Sequence, residues 1–314
     1  MSGASANGDV ALLGIDWGTS NLRVHQIDAR GVIVQSRRSA QGILNVPANG
    51  FAMVLEEQAG DWLREWSDVP VVGCGMVGAR QGWVEVPYVH CPVAIDDLAQ
   101  ALVPVALAGG RILHLVAGAA WRGGVDLADV IRGEETTIIG ALGDSVTDAC
   151  ADALVCLPGT HTKWAWVAKG ALQRFRTTMS GEVYQVLLEH SILGRMAASD
   201  AAFDPLAFQR GVIRASTHGG LLHHLFSVRA LRLFDELDEE QAPSYLSGLL
   251  TAADVLAMRD AGELAGPLTL LGEGASGQAY AQAFDALGVP YTLADGDAAV
   301  ACGLHAIAAR AALI

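Results

Sequence analysis

The alternation of apolar and polar residues predicts a three-stranded meander near the start of the chain. An apolar strand over 11–15 ends in a turn at 16–20 that contains glycine and threonine. Strands over 21–28 and 32–37 follow, joined by a tight turn at 29–31. Alternation with a period of two, bounded by glycine and polar residues, is typical of strands. The further elements predicted in this half are a helix over 51–66 and buried strands over 69–74 and 111–116.

The same order of elements begins again near residue 153. An apolar strand ends in a second turn rich in glycine and threonine, and two more strands follow it. These segments are the strand 153–157, the turn 158–163 and the strands 164–168 and 172–176. Asp16 and Gly159, which occupy corresponding turns, are 143 positions apart. Repetition of one supersecondary unit predicts a duplicated domain.

The second half differs from the first by a long helical stretch. Apolar residues follow helical spacing from 183 to 260, with loops predicted near Pro205 and Pro243. A strand over 268–271 is followed by a helix, by a strand over 289–293 and by an alanine-rich helix at the end of the chain. The predicted organisation is a disordered leader (1–10), a first lobe (11–150) and a second lobe (151–314) with a helical insert (183–260).

Composition and charge narrow the functional classes. The chain has 314 residues, a formal net charge of −14 and 52% hydrophobic residues. An acidic chain lacks the basic face that general binding to nucleic acids or anionic membranes requires. Its apolar runs are shorter than the ~20 residues that cross a bilayer, and its first residues lack the apolar core of a signal peptide. We therefore expect a soluble, cytoplasmic protein with reduced cysteines, because the five cysteines lack CxxC spacing.

The two duplicated turns have the features of phosphate-binding turns. Glycine lets the backbone approach a phosphate closely, so that inward N–H groups can bind its oxygens. Asp16 adds a carboxylate suited to hydrated Mg²⁺, and Lys163 could reach a phosphate as a point charge. Each turn alone is also consistent with a plain hairpin, but the pair at duplicated positions favours nucleotide binding. The other residues of these turns are Gly18, Thr19 and Ser20 in the first copy and Gly159 and Thr160 in the second.

A third glycine-rich turn follows the strand over 268–271. Gly272, Gly274 and Gly277 have the spacing of a dinucleotide-binding fingerprint, and Asp295 lies 18 residues beyond Gly277. Only 37 residues remain after Gly277, which is too few for the rest of such a domain. We interpret this turn as packing against adenosine, with a dehydrogenase as the alternative.

Two carboxylates and three arginines are candidates for the chemistry. Glu134 and Glu135 lie just before an apolar helix predicted over 137–142, a placement that fits a general base and equally fits an ordinary acidic first helical turn. Ser180 is a candidate helix cap with Glu182 in the first turn, an arrangement that requires no function. A local arginine could still bind an acidic substrate. The candidates for this role are Arg23, Arg80 and Arg132.

Taken together, these motifs resemble the 2-dehydro-3-deoxygalactonokinase family of the sugar kinase, Hsp70 and actin superfamily. The resemblance runs from about Leu12 to Ala309 and depends on an ordered set of segments. These are IDWGTSNLR, GMVGARQGW, Pro87-Tyr88, RGEET, LPGTHTKW, FRTTMSGE and YLSGLL. The resemblance implies an α/β fold of duplicated RNase H-like (actin/hexokinase-like) domains, with a cleft between two lobes.

The resemblance also implies an activity and residue roles. The family transfers the γ-phosphate of ATP to the 6-hydroxyl of 2-dehydro-3-deoxy-D-galactonate with Mg²⁺, in galactonate catabolism. By position, Asp16 binds the metal, and the turns at Gly18 and Gly159 hold phosphates. RGEET also resembles the SGxEE stretch of exopolyphosphatases, which favours Glu134 or Glu135 as the base, with Asp16 as the rival. One departure from the family pattern is Glu273 in the adenosine turn.

Other functional classes stay open at the level of sequence. The first is a kinase for another 2-keto-3-deoxy sugar acid, since the configuration of one hydroxyl leaves no motif. The second is a phosphohydrolase of the exopolyphosphatase type, with water as the acceptor. The third is a nucleotide-responsive binding protein, which the lack of a peptide-binding domain disfavours. The expected partners are ATP and a sugar acid, without nucleic acid or membrane, and a homodimer is left open.

Overall fold

The computed structural model describes residues 10–142, 152–198, 200–272 and 274–314. The chain divides into two compact units that interleave along the sequence. The first contains the residues up to Ala151 together with Trp166–Phe175 and Asp295–Ile314, and the second contains Asp152–Ala165 and Arg176–Ala294. The predicted leader, except for Val10, and Glu273 lie outside the described residues. The predicted lobes, which follow the order of the sequence, stay a prediction.

The strands and helices of the described residues are as follows. The strands are β1 (Val10–Trp17), β2 (Leu22–Asp28), β3 (Ile33–Ser39), β4 (Val71–Cys74), β5 (Tyr88–His90), β6 (Val93–Ala94), β7 (Val103–Ala106), β8 (Ile112–Leu115), β9 (Gly118–Gly124), β10 (Leu127–Ile131), β11 (Ala153–Leu157), β12 (Thr162–Ala168), β13 (Ala171–Thr178), β14 (Leu268–Leu271) and β15 (Thr292–Ala294). The helices are α1 (Phe51–Glu65), α2 (Ile95–Gln100), α3 (Glu134–Leu142), α4 (Ser180–His190), α5 (Pro205–Ala215), α6 (Leu221–Leu233), α7 (Ala242–Asp260), α8 (Gly274–Leu287) and α9 (Gly296–Arg310).

The structure contains two six-stranded sheets, and five strands of each follow the same order. The first has the order β3-β2-β1-β4-β8-β7, and the second has the order β15-β14-β11-β12-β13-β6. In the first sheet β1 pairs antiparallel with β2 and parallel with β4. In the second, β11 and β14 are likewise parallel neighbours. Since β13-β12-β11-β14-β15 corresponds to β3-β2-β1-β4-β8, the predicted duplicated α/β fold is confirmed.

The core of the first unit forms where α1 covers the sheet. Trp17, Leu55 and Trp62 are buried, with exposures of 0%, 1% and 2%. Trp83 stacks on Phe51 with ring centroids 6.0 Å apart and meets Trp17 edge-on at 6.3 Å. Trp83 is therefore a packing residue of this core, because offset and edge-to-face aromatic pairs are the favoured arrangements in cores.

Helices α3 and α9 of the first unit approach each other through two glycines. A Cβ on Gly140 would lie 1.8 Å from the carbonyl oxygen of Ala299, and one on Gly303 would lie 2.0 Å from that of Thr136. Thr136 near the start of α3 thus meets the middle of α9, and Gly140 near the end of α3 meets the start of α9, so the helices run antiparallel. Any larger residue at either glycine would push the two backbones apart.

The loops predicted near Pro205 and Pro243 are confirmed, because residues 200–204 and 234–241 lie outside helices and strands. Each proline lies in the first turn of the helix that follows its loop, where no intrahelical N–H bond is lost. Asp204 caps α5 by accepting hydrogen bonds from the N–H groups of Leu206 and Ala207, each at 2.9 Å. The predicted strand over 289–293 is shorter and begins at Thr292. The two-residue strand β6 went unpredicted, because two residues carry no periodicity.

The cysteines of the described residues agree with the expectation of a reduced protein. The cysteines in the described ranges are free, and Cys150 lies outside those ranges. No helix of the described residues has the length and apolarity that a membrane span requires.

Candidate active site

The first predicted phosphate turn is a hairpin whose carbonyls are tied to a segment after β3. Within the hairpin, the N–H of Gly18 donates to Asn21 at 2.9 Å. The N–H groups of Gly42, Ile43 and Leu44 donate to the carbonyls of Ser20, Gly18 and Thr19 at 3.1, 3.0 and 3.2 Å. The turn is therefore held by more than its own hairpin bond.

A glycine outside the motif makes that support feasible. A Cβ on Gly42 would lie 2.3 Å from the carbonyl oxygen of Thr19. In the second unit, a Cβ on Gly181 would lie 2.3 Å from the carbonyl oxygen of Gly159. In each copy, a glycine that follows the third strand therefore lies directly against the predicted phosphate turn.

The glycines of the motifs themselves have a different setting. Among the described residues, a Cβ on Gly18 would meet only the carbonyl of Asn21, at 3.6 Å, and one on Gly159 only that of His161, at 3.8 Å. Neither glycine has the positive φ that excludes other residues. Packing therefore does not require glycine at these two positions, and the open space above each turn suits a ligand that approaches the backbone.

Asp16 lies in an ion cluster of the first unit. One carboxylate oxygen accepts a hydrogen bond from Nη1 of Arg23 at 2.8 Å, and Arg23 also faces Asp297 at 3.6 Å. Asp297 forms a second ion pair with Arg38. Burial raises the pKa of Asp16, and the Arg23 charge opposes that rise. Gly75 brings its backbone against this carboxylate, since a Cβ there would lie 3.4 Å from Oδ1.

The acidic pair opens α3 instead of preceding it. Glu134 accepts a hydrogen bond from the N–H of Arg132 at 3.0 Å. Both oxygens of Glu135 accept from the N–H of Gly133, at 2.8 and 3.0 Å, and one also accepts from the Thr136 hydroxyl at 3.1 Å. These contacts satisfy N–H groups at a helix start, which is the structural alternative left open by the sequence.

Glu135 is a buried carboxyl with a second carboxylate beside it. Its exposure is 1%. Burial first, and the neighbouring Glu134 charge second, raise the pKa of Glu135 to about 7, against the lowering effect of its hydrogen bonds. The folded state therefore binds a proton at Glu135 more tightly than the unfolded chain does.

We expect this raised pKa to make stability depend on pH. The contribution of Glu135 is fully present below its ordinary pKa of 4.5 and is lost as pH rises through about 7. The unfolding free energy of the wild type should therefore fall by up to about 3 kcal/mol between these limits because of Glu135. Glu135→Gln should remove that part of the fall. Urea denaturation of wild type and variant at pH 5 and pH 8 measures the difference. An equal decline in both proteins would contradict the assignment.

The three candidate arginines have unlike environments. Arg23 is already engaged by two carboxylates, and Arg80 is exposed. Arg132 is 7% exposed, donates from Nη2 to the carbonyl of Val86 at 2.7 Å and lies 4.3 Å from the ring centroid of Tyr88. Its Nε and Nη1 have no hydrogen-bond partner among the described residues. A buried guanidinium with two unsatisfied donors is costly unless an anion joins it.

In the second unit, the start of α4 holds the turn at 158–163. The N–H of Glu182 donates to the carbonyl of Thr160 at 2.8 Å, and the Glu182 carboxylate pairs with His161. Met179, not Ser180, occupies the cap position of α4. The prediction of Ser180 as a cap was therefore wrong, and its hydroxyl instead lies 3.0 Å from that of Thr162.

Lys163 and the adenosine-type turn flank this turn. Lys163 is 9% exposed on β12, and alternation places it on the strand face opposite Thr162. A Cβ on Gly272 would lie 2.6 Å from Cα of Gly277 and 3.5 Å from the ring of Pro158. Gly274 has a φ of +63°, which favours glycine. The second unit thus brings two of the predicted nucleotide turns together.

Sequence reasoning missed a buried polar network behind these turns. The same oxygen of Asp254 accepts from the Thr178 hydroxyl at 2.9 Å, the Trp164 indole at 3.2 Å and the Tyr280 hydroxyl. Tyr280 in turn lies 2.9 Å from the hydroxyl of Ser180. The available signal was a lone acidic residue among apolar residues on a helix, which by itself indicates no partner.

The duplicated sheet with a glycine turn in each copy is the architecture of the actin/hexokinase-like fold class. The chain belongs to the 2-keto-3-deoxy-galactonokinase family, whose model matches residues 16–307. This finding confirms the resemblance seen in the sequence motifs.

Individual relatives agree with the family assignment. The chain is 34% identical to the 2-dehydro-3-deoxygalactonokinase of Escherichia coli (strain K12), over 94% of this chain and 97% of that protein. It is 32% identical to a provisionally described 2-dehydro-3-deoxygalactonokinase from Sinorhizobium meliloti, whose crystal structure aligns with a TM-score of 0.84 over 95% of this chain and 98% of that one. Component A of (R)-2-hydroxyglutaryl-CoA dehydratase from Acidaminococcus fermentans shares the fold alone, at 13% identity, 96% and 100% coverage and a TM-score of 0.52.

Proposed function

We propose that this chain transfers the γ-phosphate of ATP to the 6-hydroxyl of 2-dehydro-3-deoxy-D-galactonate. The observation that carries the proposal is the family match over residues 16–307, which includes all three glycine turns. A relative that is 34% identical over nearly its whole length is named for this activity. The open space at Gly18 and Gly159 supports phosphate binding at both turns.

The turns of the second unit fit a nucleotide. Gly159 and Thr160 would face the phosphates, and Gly272 with Gly274 would pack against adenosine. The close approach of Gly272 to Pro158 supports one continuous surface for both parts of ATP. Thr19 and Ser20, both exposed, extend phosphate contacts in the first unit. Lys163 stays a candidate for charge neutralisation.

Asp16 is the proposed anchor for Mg²⁺. Mg²⁺ usually keeps several waters and is held by one or two carboxylates together with substrate phosphates. Asp16 fits this role, because its side chain is 18% exposed and it lies at the end of β1, next to the first glycine turn. When bound, the ion would neutralise charge on the transferring phosphoryl group.

Glu134 is the better of the two glutamates for a general base. Glu135 is 1% exposed and has both oxygens on the Gly133 N–H, so it cannot contact a substrate hydroxyl in this arrangement. Glu134 is half-buried, and its charge is felt by both Asp16 and Glu135. Asp16 remains the alternative base.

A substrate panel tests the proposed function. ADP release would be measured with 2-keto-3-deoxygalactonate, with its gluconate epimer and without any sugar acid. We expect ADP release to require a sugar acid and kcat/KM to be higher for the galactonate-derived acid. Equal release without an acid would instead mean that water is the acceptor, and a preference for the gluconate epimer would reassign the substrate.

A further inference from the structure

Asp254 is a buried carboxylate that collects donors from three elements of the second unit. Thr178 at the end of β13, Trp164 on β12 and Tyr280 on α8 all donate to its Oδ2. Burial raises the pKa of Asp254, and these three hydrogen bonds counteract that rise. A buried carboxylate with several donors fixes its neighbours firmly, because moving any donor leaves charge unsatisfied.

The carboxylate also fixes the direction of the hydroxyls beyond it. The Tyr280 hydroxyl donates its proton to Oδ2 of Asp254. Its oxygen is then available to accept from Ser180, 2.9 Å away, and Ser180 can accept from Thr162, 3.0 Å away. One chain of hydrogen bonds thus leads from α7 to the strand that leaves the second phosphate turn.

The two middle members of this chain, Tyr280 and Ser180, lie on helices that adjoin the turns that the proposed function assigns to ATP. Tyr280 lies on α8, which the Gly272–Gly277 turn opens. Ser180 begins α4, whose Gly181 packs against the carbonyl of Gly159. A displacement of Tyr280 or Ser180 would therefore change the spacing of the two turns without touching the ligand directly.

We propose that Asp254, through Tyr280 and Ser180, is a positioning residue that fixes the second phosphate turn and the adenosine turn relative to each other. This inference rests on the proposed function, because it takes both turns as the ATP site. Tyr280 is 3% exposed, so its effect on nucleotide binding must be indirect.

The test compares two buried tyrosines of the second unit in the full-length protein. Tyr280→Phe removes the hydroxyl that joins Asp254 to Ser180. Tyr245→Phe is the matched control, because Tyr245 is also 3% exposed and its hydroxyl lies 2.8 Å from Ser227, away from the turns. ADP affinity by calorimetry and KM for ATP and for the sugar acid are measured for each. We expect Tyr280→Phe to weaken ADP binding and raise KM for ATP about tenfold, with KM for the acid nearly unchanged.

A second variant keeps the test decisive. Ser180→Ala alters a half-buried position in the same chain of hydrogen bonds and serves as the test if Tyr280→Phe does not fold. It should likewise raise KM for ATP and leave KM for the acid nearly unchanged. Equal ADP affinity in the Tyr280 and Ser180 variants and in Tyr245→Phe would overturn the positioning role. Equal increases in KM for both substrates would also overturn it, since they indicate general loosening. A wild-type protein that binds no ADP would refute the proposed function itself.

Discussion

Asp16→Asn is expected to lower kcat about a thousand-fold while the protein stays folded. The substitution removes the charge proposed to anchor Mg²⁺ but keeps the side-chain shape. Burial already raises the pKa of Asp16, so a neutral amide there relieves an electrostatic cost of the folded state. Arg23 retains Asp297 at 3.6 Å. Steady-state kinetics over a range of Mg²⁺ concentrations and a thermal unfolding midpoint measure both parts of the expectation.

Asp297→Asn is the matched control for this experiment. Asp297 has the same side-chain exposure as Asp16, 18%, and faces the same arginine. If Asp16 acts through the metal, the Asp297 variant should lose less than about tenfold, as expected for a solvent-accessible ion pair. Equal losses in both variants would assign the effect to the arginine cluster, and wild-type turnover in Asp16→Asn would remove Asp16 from the metal role.

Arg132→Met is expected to raise KM for the sugar acid about a hundred-fold and to leave ADP affinity unchanged. The reason is the pair of unsatisfied donors, Nε and Nη1, on a guanidinium that is 7% exposed. Methionine has a similar length and no charge, so the variant should fold, because replacing a buried charge by an apolar group is often neutral. Initial-rate kinetics with the acid varied at saturating ATP give the KM.

Arg80→Met separates the two remaining arginine candidates. Arg80 is exposed and lies in the GMVGARQGW segment of the first unit. A small change in KM for this variant would agree with Arg132 as the carboxylate ligand. A larger change than in Arg132→Met would transfer that role to Arg80. Arg132→Lys should remain impaired, since an ammonium does not reproduce the guanidinium geometry.

Much of the fold could be predicted because its signals are local. Strand alternation and the turns after β1 and β11 are readable within about ten residues, so the duplication was visible without the structure. The matching strand orders of the two sheets confirm that prediction. The loops near Pro205 and Pro243 were also predicted correctly, since proline is common where a loop meets the first turn of a helix.

The environments of the site residues could not be predicted, since they depend on contacts between distant parts of the chain. RGEET left capping and catalysis equally open, and only the Gly133 N–H contacts show how Glu135 is used. Arg23, Arg80 and Arg132 were equivalent candidates until their ion pairs and burial were known.

The sequence by itself therefore determined the duplicated α/β fold, its glycine turns and the family. The tertiary structure alone decided which groups support those turns. Gly42 and Gly181 contact backbone more than 20 positions away, and Asp254 meets Tyr280 across 26 positions and Trp164 across 90. No periodicity along the chain encodes such meetings, because they arise only when separate helices and strands pack together.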